Sequence, residues 1–163
     1  MEPIKTFEVS VYGDLVPFEK NPLLSKARLR IFYKYKNRNR TFIDDDFAEK
    51  LLKTLPYTPV SGIWDEEEED FTDHGQDRNE GRIYGIVPQE PNQTWEDHED
   101  PDGVVRKYAC CDVVLFTSRY PAAASIVGKK HSMELYAPSI KGEWVKIDGK
   151  QYYKYSDASF IGL

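Results

Sequence analysis

The sequence has three histidines, and any hydrolytic chemistry that uses an imidazole base must pair one of them with a serine hydroxyl or a cysteine thiol. A hydrolytic serine needs a base within hydrogen-bond reach and a third group that holds the imidazole in the correct tautomer. Ser132 stands where the polar pair Lys130-His131 gives way to apolar Met133, at the predicted start of a strand. Ser132 is therefore a candidate nucleophile, and an ordinary strand hydroxyl is the alternative.

The three histidines differ in their surroundings. His131 adjoins Ser132, but successive side chains of a strand point to opposite faces, so it cannot readily act as the base of that serine. His98 lies in the acidic segment WEDHED, which is interpreted as part of a polar loop, and is expected to be a solvated surface residue. His74 follows Asp73 and precedes a glycine that lets the backbone turn sharply, so it is the candidate base.

Three later carboxylates could orient the imidazole of His74. Asp148 is already explained by the Asp-Gly pair of a tight hairpin turn. Glu134 is two residues from Ser132, hence on the same strand face, where it could adjoin the site or contact a substrate cation. Asp157 follows the second hairpin strand and could fold back over the mouth of a barrel. Spacing alone leaves open that Ser132 and His74 are ordinary strand and loop residues.

Other clusters suit packing or solvation better than chemistry. Cys110 and Cys111 are adjacent in an apolar strand pattern, without a disulfide framework or CxxC metal spacing, so we expect them to pack. The acidic run 65–70 lacks the alternating ligands and central glycine of a calcium loop. Residues 33–40, YKYKNRNR, interleave aromatic and basic side chains as single-strand nucleic-acid binders do, but the net charge of −6 argues against that partner. No cofactor and no metal are expected.

Alternating apolar and polar residues dominate the chain and predict a mainly β protein with flanking helices. Strands at this frequency, without alternating helices, favour an antiparallel β-barrel of about seven strands, closed or nearly closed. Two helices are expected outside it, and two segments are interpreted as irregular. The predicted strands include 6–12, 27–35, 58–64, 82–87, 104–116 and the hairpin 143–155; the predicted helices are 44–55 and 118–127; the irregular segments are 15–25 and 89–103.

Length and composition restrict the class of protein. The 163 residues, 40% of them hydrophobic, suffice for one core, so a single domain over 1–163 is expected. No run approaches the roughly 20 apolar residues that cross a bilayer, and the N-terminus lacks the layout of a signal peptide, so an intracellular protein is expected. The apolar end at 159–163 suggests a domain cut from a longer chain.

Five fragments occur in a fixed order along the chain: KARLRIFYKYKNRNRTFIDDDFAEKLLKTLPYTPVSG, DFTDHG, GRIYGIVP, YACCDVVLFT and GKKHSMELY. They contain an Asn/Arg-rich turn before a helix, a histidine in a DH motif after a strand, a Gly-x-x-Tyr-Gly strand, and a short helix that leads into the strand with the serine. Taken together, this ordered set resembles the prohead proteases of tailed bacteriophages, which are similar in fold to the herpesvirus assemblins.

The resemblance implies an assemblin-like serine endopeptidase that cuts phage scaffold and capsid proteins during head maturation, in the host cytoplasm within the assembling prohead. It assigns Ser132 as nucleophile and His74 as base, with Asp157 as third member and Glu134 as the alternative. Scaffold and capsid proteins are then the substrates, a homodimer is an option, and neither nucleic acid nor membrane is expected as a partner. The main alternative is a non-catalytic phage head or scaffold assembly protein with the same barrel, and a small binding barrel without a viral role is the third.

Overall fold

The computed structural model describes residues 6–73 and 81–163, which form thirteen strands, one α-helix and two short 3-10 helices. The first part comprises β1 (Thr6–Phe18), β2 (Asn21–Tyr33), β3 (Tyr35–Lys36), β4 (Thr41–Ile43), α1 (Asp45–Leu52), β5 (Pro59–Asp65), β6 (Asp70–Asp73) and β7 (Arg82–Ile86). The second part comprises β8 (Thr94–Glu99), β9 (Val105–Leu115), a 3-10 helix (Pro121–Ile126), β10 (Lys130–Leu135), a 3-10 helix (Ala137–Ser139), β11 (Lys141–Ile147), β12 (Lys150–Asp157) and β13 (Phe160–Gly162).

The main sheet is curled and its strand ladders are antiparallel. Its order is β13-β10-β1-β2-β9-β7-β5-β6, with β8 paired to β9. The ladders leave the sheet open, as a half-barrel, rather than closing it into a barrel. Two backbone hydrogen bonds join Leu163, the residue after β13, to β5: Ser61 N donates to Leu163 O at 3.0 Å, and Leu163 N donates to Pro59 O at 2.9 Å. The prediction of a mainly β, antiparallel fold with few helices is thus confirmed.

The second sheet has the order β11-β12-β4-β3 and includes one parallel pair, between β12 and β4. The hairpin that joins β11 to β12 turns at Asp148 and Gly149, whose φ angles are 50° and 77°. Positive φ at both central residues is what a type I′ turn requires, and the Asp-Gly pair supplies it at low cost. The hairpin predicted from the sequence is confirmed.

Helix α1 begins where the aspartates predicted it. The side chain of Asp44 accepts a hydrogen bond from Phe47 N at 2.8 Å and so caps the first turn. Phe47 and Leu51 are buried, and the ring of Phe47 stacks on Tyr155 of the second sheet at 5.2 Å. Burying one such side chain contributes roughly 2 kcal/mol. None of the helices in the described ranges is long and apolar enough to cross a bilayer.

Several predicted boundaries were wrong. Gly13 does not end β1, because its φ of +75° carries the strand through a register shift into a long hairpin with β2. Residues 15–18 and 21–25 are therefore strand, joined by a two-residue turn, rather than a connection. Residues 89–103 are not wholly irregular, because β8 pairs along the edge of β9. The helix expected at 118–127 is a 3-10 helix, Pro121–Ile126, without a side-chain cap. Cross-strand pairing, which local patterns do not show, decides the first two cases.

The core occupies one face of the main sheet. Buried core residues recur at every second position of β2 and β9, so the intervening residues face away from the core. Cys111 belongs to this core, whereas the equally buried Cys110 belongs to the opposite face. The core positions of these two strands are Ala27, Leu29, Ile31, Ala109, Cys111, Val113 and Leu115, together with Phe32, which follows a register shift in β2.

Candidate functional site

A cluster of polar side chains lies on the face of the main sheet that points away from the core, across the neighbouring strands β1, β2, β9 and β8. Its members contact one another through hydrogen bonds, ion pairs and ring contacts. The strand period of two brings them to one face, because alternate residues of these strands pack into the core. We call it the outer-face cluster, and define it as Tyr12, Arg28, Thr94, Glu96, His98, Cys110 and Asp112.

Glu96 lies at the centre of the outer-face cluster. Its Oε1 accepts a hydrogen bond from the hydroxyl of Tyr12 at 2.9 Å. Its Oε2 accepts one from Thr94 Oγ1 at 2.6 Å and one from Arg28 Nη2 at 2.5 Å. The hydrogen bond from Thr94 and that from Arg28 lower the pKa of the Glu96 carboxyl to about 2. Glu96 is therefore a carboxylate across the physiological pH range.

Arg28 links Glu96 to a second carboxylate. Its Nη1 donates to Asp112 Oδ1 at 3.1 Å and to the carbonyl oxygen of Asn92 at 2.8 Å. Asp112 is only 5% exposed and also accepts a hydrogen bond from Asn92 Nδ2 at 2.7 Å. A buried carboxylate needs such partners, because without them its desolvation is costly. The guanidinium of Arg28 is thus held in place from both sides.

Cys110 and His98 meet beside Glu96. Cys110 Sγ lies 3.7 Å from His98 Nε2, which lies 4.0 Å from Glu96 Oε1. The His98 ring packs edge-on against Tyr12, with 4.5 Å between ring centroids, and contacts Tyr108 on another side at 6.1 Å. One sulfur, one nitrogen and one oxygen therefore converge within 4.8 Å of one another.

The protonation states limit what this group can do. Burial raises the pKa of the Cys110 thiol to about 11, and Cys110 has no exposed surface. Burial, followed by the charge of Arg30, lowers the pKa of His98 and favours a neutral imidazole. A buried, protonated thiol is a poor nucleophile. The arrangement does not suit thiol catalysis, but it presents the donor atoms that a metal ion could use.

His98 is not the solvated loop residue that the sequence suggested. It lies in β8, opposite Arg106 of β9, and its side chain is 20% exposed. The segment TWEDHE is strongly polar, but its alternation puts Glu96 and His98 on one face and Trp95 on the other, against the core. The sequence did contain a signal for this cluster. Glu96 and His98 are two residues apart, as residues on one face of a strand are, and Arg28 and Cys110 occupy outward positions of two predicted strands.

The predicted catalytic residues are distributed as follows. Ser132 lies in β10, where its backbone pairs with Glu8 of β1. Glu134 is in the same strand and pairs with Gly162 of β13. Asp157 is exposed at the end of β12, opposite Lys141, and so belongs to the second sheet. His74 lies outside the described residues, and its proximity to Ser132 stays a prediction.

The Glu134 carboxylate lies close to the backbone of β13. A Cβ atom placed on Gly162 would be 3.3 Å from Glu134 Oε2 and 3.5 Å from Ser61 Oγ of β5. The absence of a side chain at Gly162 therefore leaves room for the carboxylate between β10 and β5. Of the two proposed third members, Glu134 is the one that shares a strand with Ser132.

Residues 23–163 match a family model described as the YonD N-terminal domain. No curated protein and no solved structure matches the chain at a significant level.

Proposed function

The chain belongs to the YonD N-terminal domain family, and from this premise we propose that it is a serine endopeptidase of the prohead-protease type. The family name is associated with phage, which is consistent with a role in phage head maturation. Ser132 is the nucleophile, His74 is the base, and scaffold and capsid proteins are the substrates. The proposal extends the resemblance of the five sequence fragments, and three structural observations support it.

The observation that carries the proposal concerns the start of β10 and the hairpin of β5 with β6. Lys129 Nζ lies 3.4 Å from Asp70 Oδ1 and donates a hydrogen bond to the carbonyl oxygen of Glu69 at 3.3 Å. These contacts tie the residue before β10 to the first residue of β6. β6, which precedes His74 in the chain, and β10, which contains Ser132, therefore start side by side.

Both strands also run in the same direction. The bonds of Leu163 with Pro59 and Ser61 have the parallel pattern, so β13 and β5 are parallel. Since β10 is antiparallel to β13, and β6 is antiparallel to β5, β6 runs parallel to β10. Ser132 is three residues after Lys129 and Asp73 is three residues after Asp70, so each lies about 10 Å along its strand from the Lys129–Asp70 contact. His74 is the next residue of the chain after Asp73.

The neighbours of Glu134 in β10 fix the face on which its side chain lies. Met133 and Leu135 are buried in the core, so the alternation of the strand gives Glu134 the opposite face. We propose Glu134 as the group that orients the imidazole of His74, because its carboxylate lies towards β5, and we keep Asp157 as the alternative.

We further propose that the half-barrel acts as a closed barrel of seven strands, in the order β13-β10-β1-β2-β9-β7-β5. The two hydrogen bonds of Leu163 supply the contact between its first and last strands. Seven strands agree with the number expected from the strand patterns of the sequence, and a mostly antiparallel barrel is what the resemblance to assemblins implies. Closure would hold β5 and β10 at a fixed separation, which a preorganised catalytic pair requires.

The proposed reaction is acyl transfer to Ser132. His74 accepts the proton of the Ser132 hydroxyl while the oxygen attacks a peptide carbonyl, and it then protonates the leaving amine. Water, activated by the same imidazole, hydrolyses the acyl-enzyme and restores the serine. The third group keeps His74 in the tautomer that leaves one ring nitrogen free to accept the proton.

The test is covalent labelling with a fluorophosphonate probe, combined with co-expression of the chain with its phage head proteins. The wild type should be labelled once and should process the head proteins, and Ser132→Ala and His74→Ala should abolish both. Ser156→Ala is the matched control, because Ser156 is an exposed serine of β12 and should change neither readout. Equal labelling in Ser132→Ala and the wild type would remove Ser132 as the nucleophile.

A non-catalytic assembly protein is the second candidate, and one observation favours it. The β1–β2 hairpin has strands of 13 residues each, and Val16 and Leu23 near its tip are 47% and 63% exposed. Long arms with exposed apolar residues suit contacts with neighbouring subunits. This candidate predicts no fluorophosphonate labelling, together with failed head assembly when Val16 and Leu23 are both replaced by serine.

A further inference from the structure

We propose that Glu96 Oε1, His98 Nε2 and Cys110 Sγ form a three-ligand site for a divalent metal ion of the zinc type. The three donors are the one Cys/His/carboxylate group within the described ranges that could hold a metal ion. The inference does not depend on the proposed protease, because none of its residues belongs to the Ser132 site.

The separations of the donor atoms fit tetrahedral coordination. Zinc bonds of about 2.3 Å to sulfur and about 2.0 Å to nitrogen place those two atoms about 3.6 Å apart. The observed distance from Cys110 Sγ to His98 Nε2 is 3.7 Å. Nitrogen and oxygen ligands would lie about 3.3 Å apart, and the observed distance from His98 Nε2 to Glu96 Oε1 is 4.0 Å. Cys110 Sγ and Glu96 Oε1 lie within 4.8 Å of each other, so the carboxylate has to move towards both other donors to complete the geometry.

The scaffold holds the three ligands on a rigid support. Glu96 and His98 occupy alternate positions of β8, which pairs with β9 from Thr94 opposite Cys110 to Glu99 opposite Val105. Because two ligands lie on one strand and the third on the strand paired with it, metal binding costs little conformational entropy. Sites built on paired strands keep their geometry better than sites on loops.

Arg28 and Thr94 orient the Glu96 carboxylate. Both donate to Oε2, at 2.5 Å and 2.6 Å, whereas Oε1 accepts a hydrogen bond from the Tyr12 hydroxyl at 2.9 Å and lies 4.0 Å from His98 Nε2. Outer hydrogen bonds of this kind fix the ligand atom and the direction of its lone pair. The positive charge of Arg28 opposes a nearby dication, but Asp112 also accepts from Arg28, at 3.1 Å, and offsets that charge.

The donor set selects the class of metal. A thiolate, an imidazole and one carboxylate favour zinc and cobalt(II) over magnesium and calcium, which prefer oxygen ligands throughout. On binding, the Cys110 S–H bond breaks, the sulfur electron pair bonds to the metal and the proton passes to the buffer.

A fourth position stays open on the side where the Glu96 side chain is 35% exposed and that of His98 20%. Three protein ligands and one open position are the pattern of metal sites that bind water or substrate.

The experiment is a titration of the chelator-treated chain with Co²⁺ and then with Zn²⁺. We expect one Co²⁺ per chain, a thiolate-to-cobalt charge-transfer band, displacement by Zn²⁺ and no competition from Mg²⁺. Cys110→Ala should remove the band, and His98→Gln should weaken Co²⁺ binding at least about 10-fold. His98→Gln keeps the Arg28–Glu96 ion pair, so its loss of affinity can be separated from a loss of the fold.

Cys111→Ala provides the matched control, because Cys111 is the adjacent cysteine but points into the core. It should keep the band and the one-to-one stoichiometry. A band that persists in Cys110→Ala, or one that disappears in Cys111→Ala while the fold is intact, would overturn the assignment. Failure of the wild type to bind Co²⁺ stoichiometrically would mean that Cys110 and His98 share only a weak S–H···N hydrogen bond. Labelling of Ser132 is measured independently, so either proposal can fail without the other.

Discussion

Cys110 Sγ lies 3.7 Å from His98 Nε2, whereas the next residue of the same strand, Cys111, is buried in the hydrophobic core on the other face. Two adjacent cysteines thus occupy two different chemical environments. The difference follows from the strand period of two and from β8, which brings an imidazole to the outward side of β9.

The first prediction concerns the ion pair between Arg28 and Asp112. Arg28→Ala should lower the free energy of unfolding by about 2–3 kcal/mol, because it deprives a buried carboxylate of its guanidinium partner. The expected loss is at the low end for a broken buried pair, since Lys26 stays 3.7 Å from Asp112. Urea denaturation measures the change. Adding Asp112→Asn should restore part of the loss, and Arg119→Ala, which removes an exposed arginine, should change stability by less than about 0.5 kcal/mol.

The second prediction is a pH dependence that arises from Glu96. Its pKa is lowered to about 2 in the folded chain from an ordinary value of 4.5, first by Thr94 and then by Arg28. A depressed carboxyl pKa stabilises the folded state above the unfolded pKa, and that contribution is lost as the pH falls from about 4.5 towards 2. Acid unfolding followed by circular dichroism should therefore be less steep in this window for Glu96→Gln.

The control for the acid titration is Glu68→Gln, in the exposed turn between β5 and β6. This variant should retain the steepness of the wild type between pH 4.5 and 2. If Glu96→Gln and the wild type lose stability with the same slope over this range, the hydrogen bonds to Glu96 do not stabilise its ionised form.

The third prediction tests the close approach of β7 to β9 at Gly85. A Cβ atom at this position would lie 2.4 Å from the carbonyl oxygen of Val114 and 2.7 Å from Leu115 Cδ2. Gly85→Ala should destabilise the chain by about 1–3 kcal/mol, because backbone atoms of β9 cannot move aside without breaking the ladder. Thermal unfolding measures the loss.

Gly103→Ala separates crowding from backbone strain. Gly103 has a φ of +79° and no atom within 4 Å of the added carbon, so its substitution costs only the conformational preference, roughly 1 kcal/mol. The Gly85 variant should therefore be the less stable of the two. The reverse order would show that β7 can move away from β9 without losing its pairing.

The fourth prediction distinguishes the two proposed third members. Glu134→Gln should slow fluorophosphonate labelling of Ser132 more than Asp157→Asn does, by at least about 10-fold, because a third group that holds the imidazole has a large effect on rate. Gly162→Ala should also slow it, since the added methyl group would crowd Glu134 Oε2 at 3.3 Å. A greater loss in Asp157→Asn would assign the role to Asp157 instead.

Local patterns in the sequence determined much of the secondary structure. Asp44 marked the start of α1, although the helix ends at Leu52, before Pro56. Asp148-Gly149 identified the type I′ hairpin, and the alternation at 27–35 and the apolar run at 104–116 identified most of the two central strands. Each of these signals lies within a few residues of the structure it specifies, because caps, turns and strand alternation depend on neighbouring residues.

Only the tertiary structure decided the outer-face cluster and the curvature of the sheet. Trp95 alone is apolar in β8, so that strand depends on pairing with β9, and the sequence could not place His98 beside Cys110. The contact of Leu163 with β5 joins residues about one hundred positions apart, which no local pattern encodes. Long-range pairing is set by the packing of the whole sheet, and for this reason alternation identified the outward residues whereas the fold determined which of them meet.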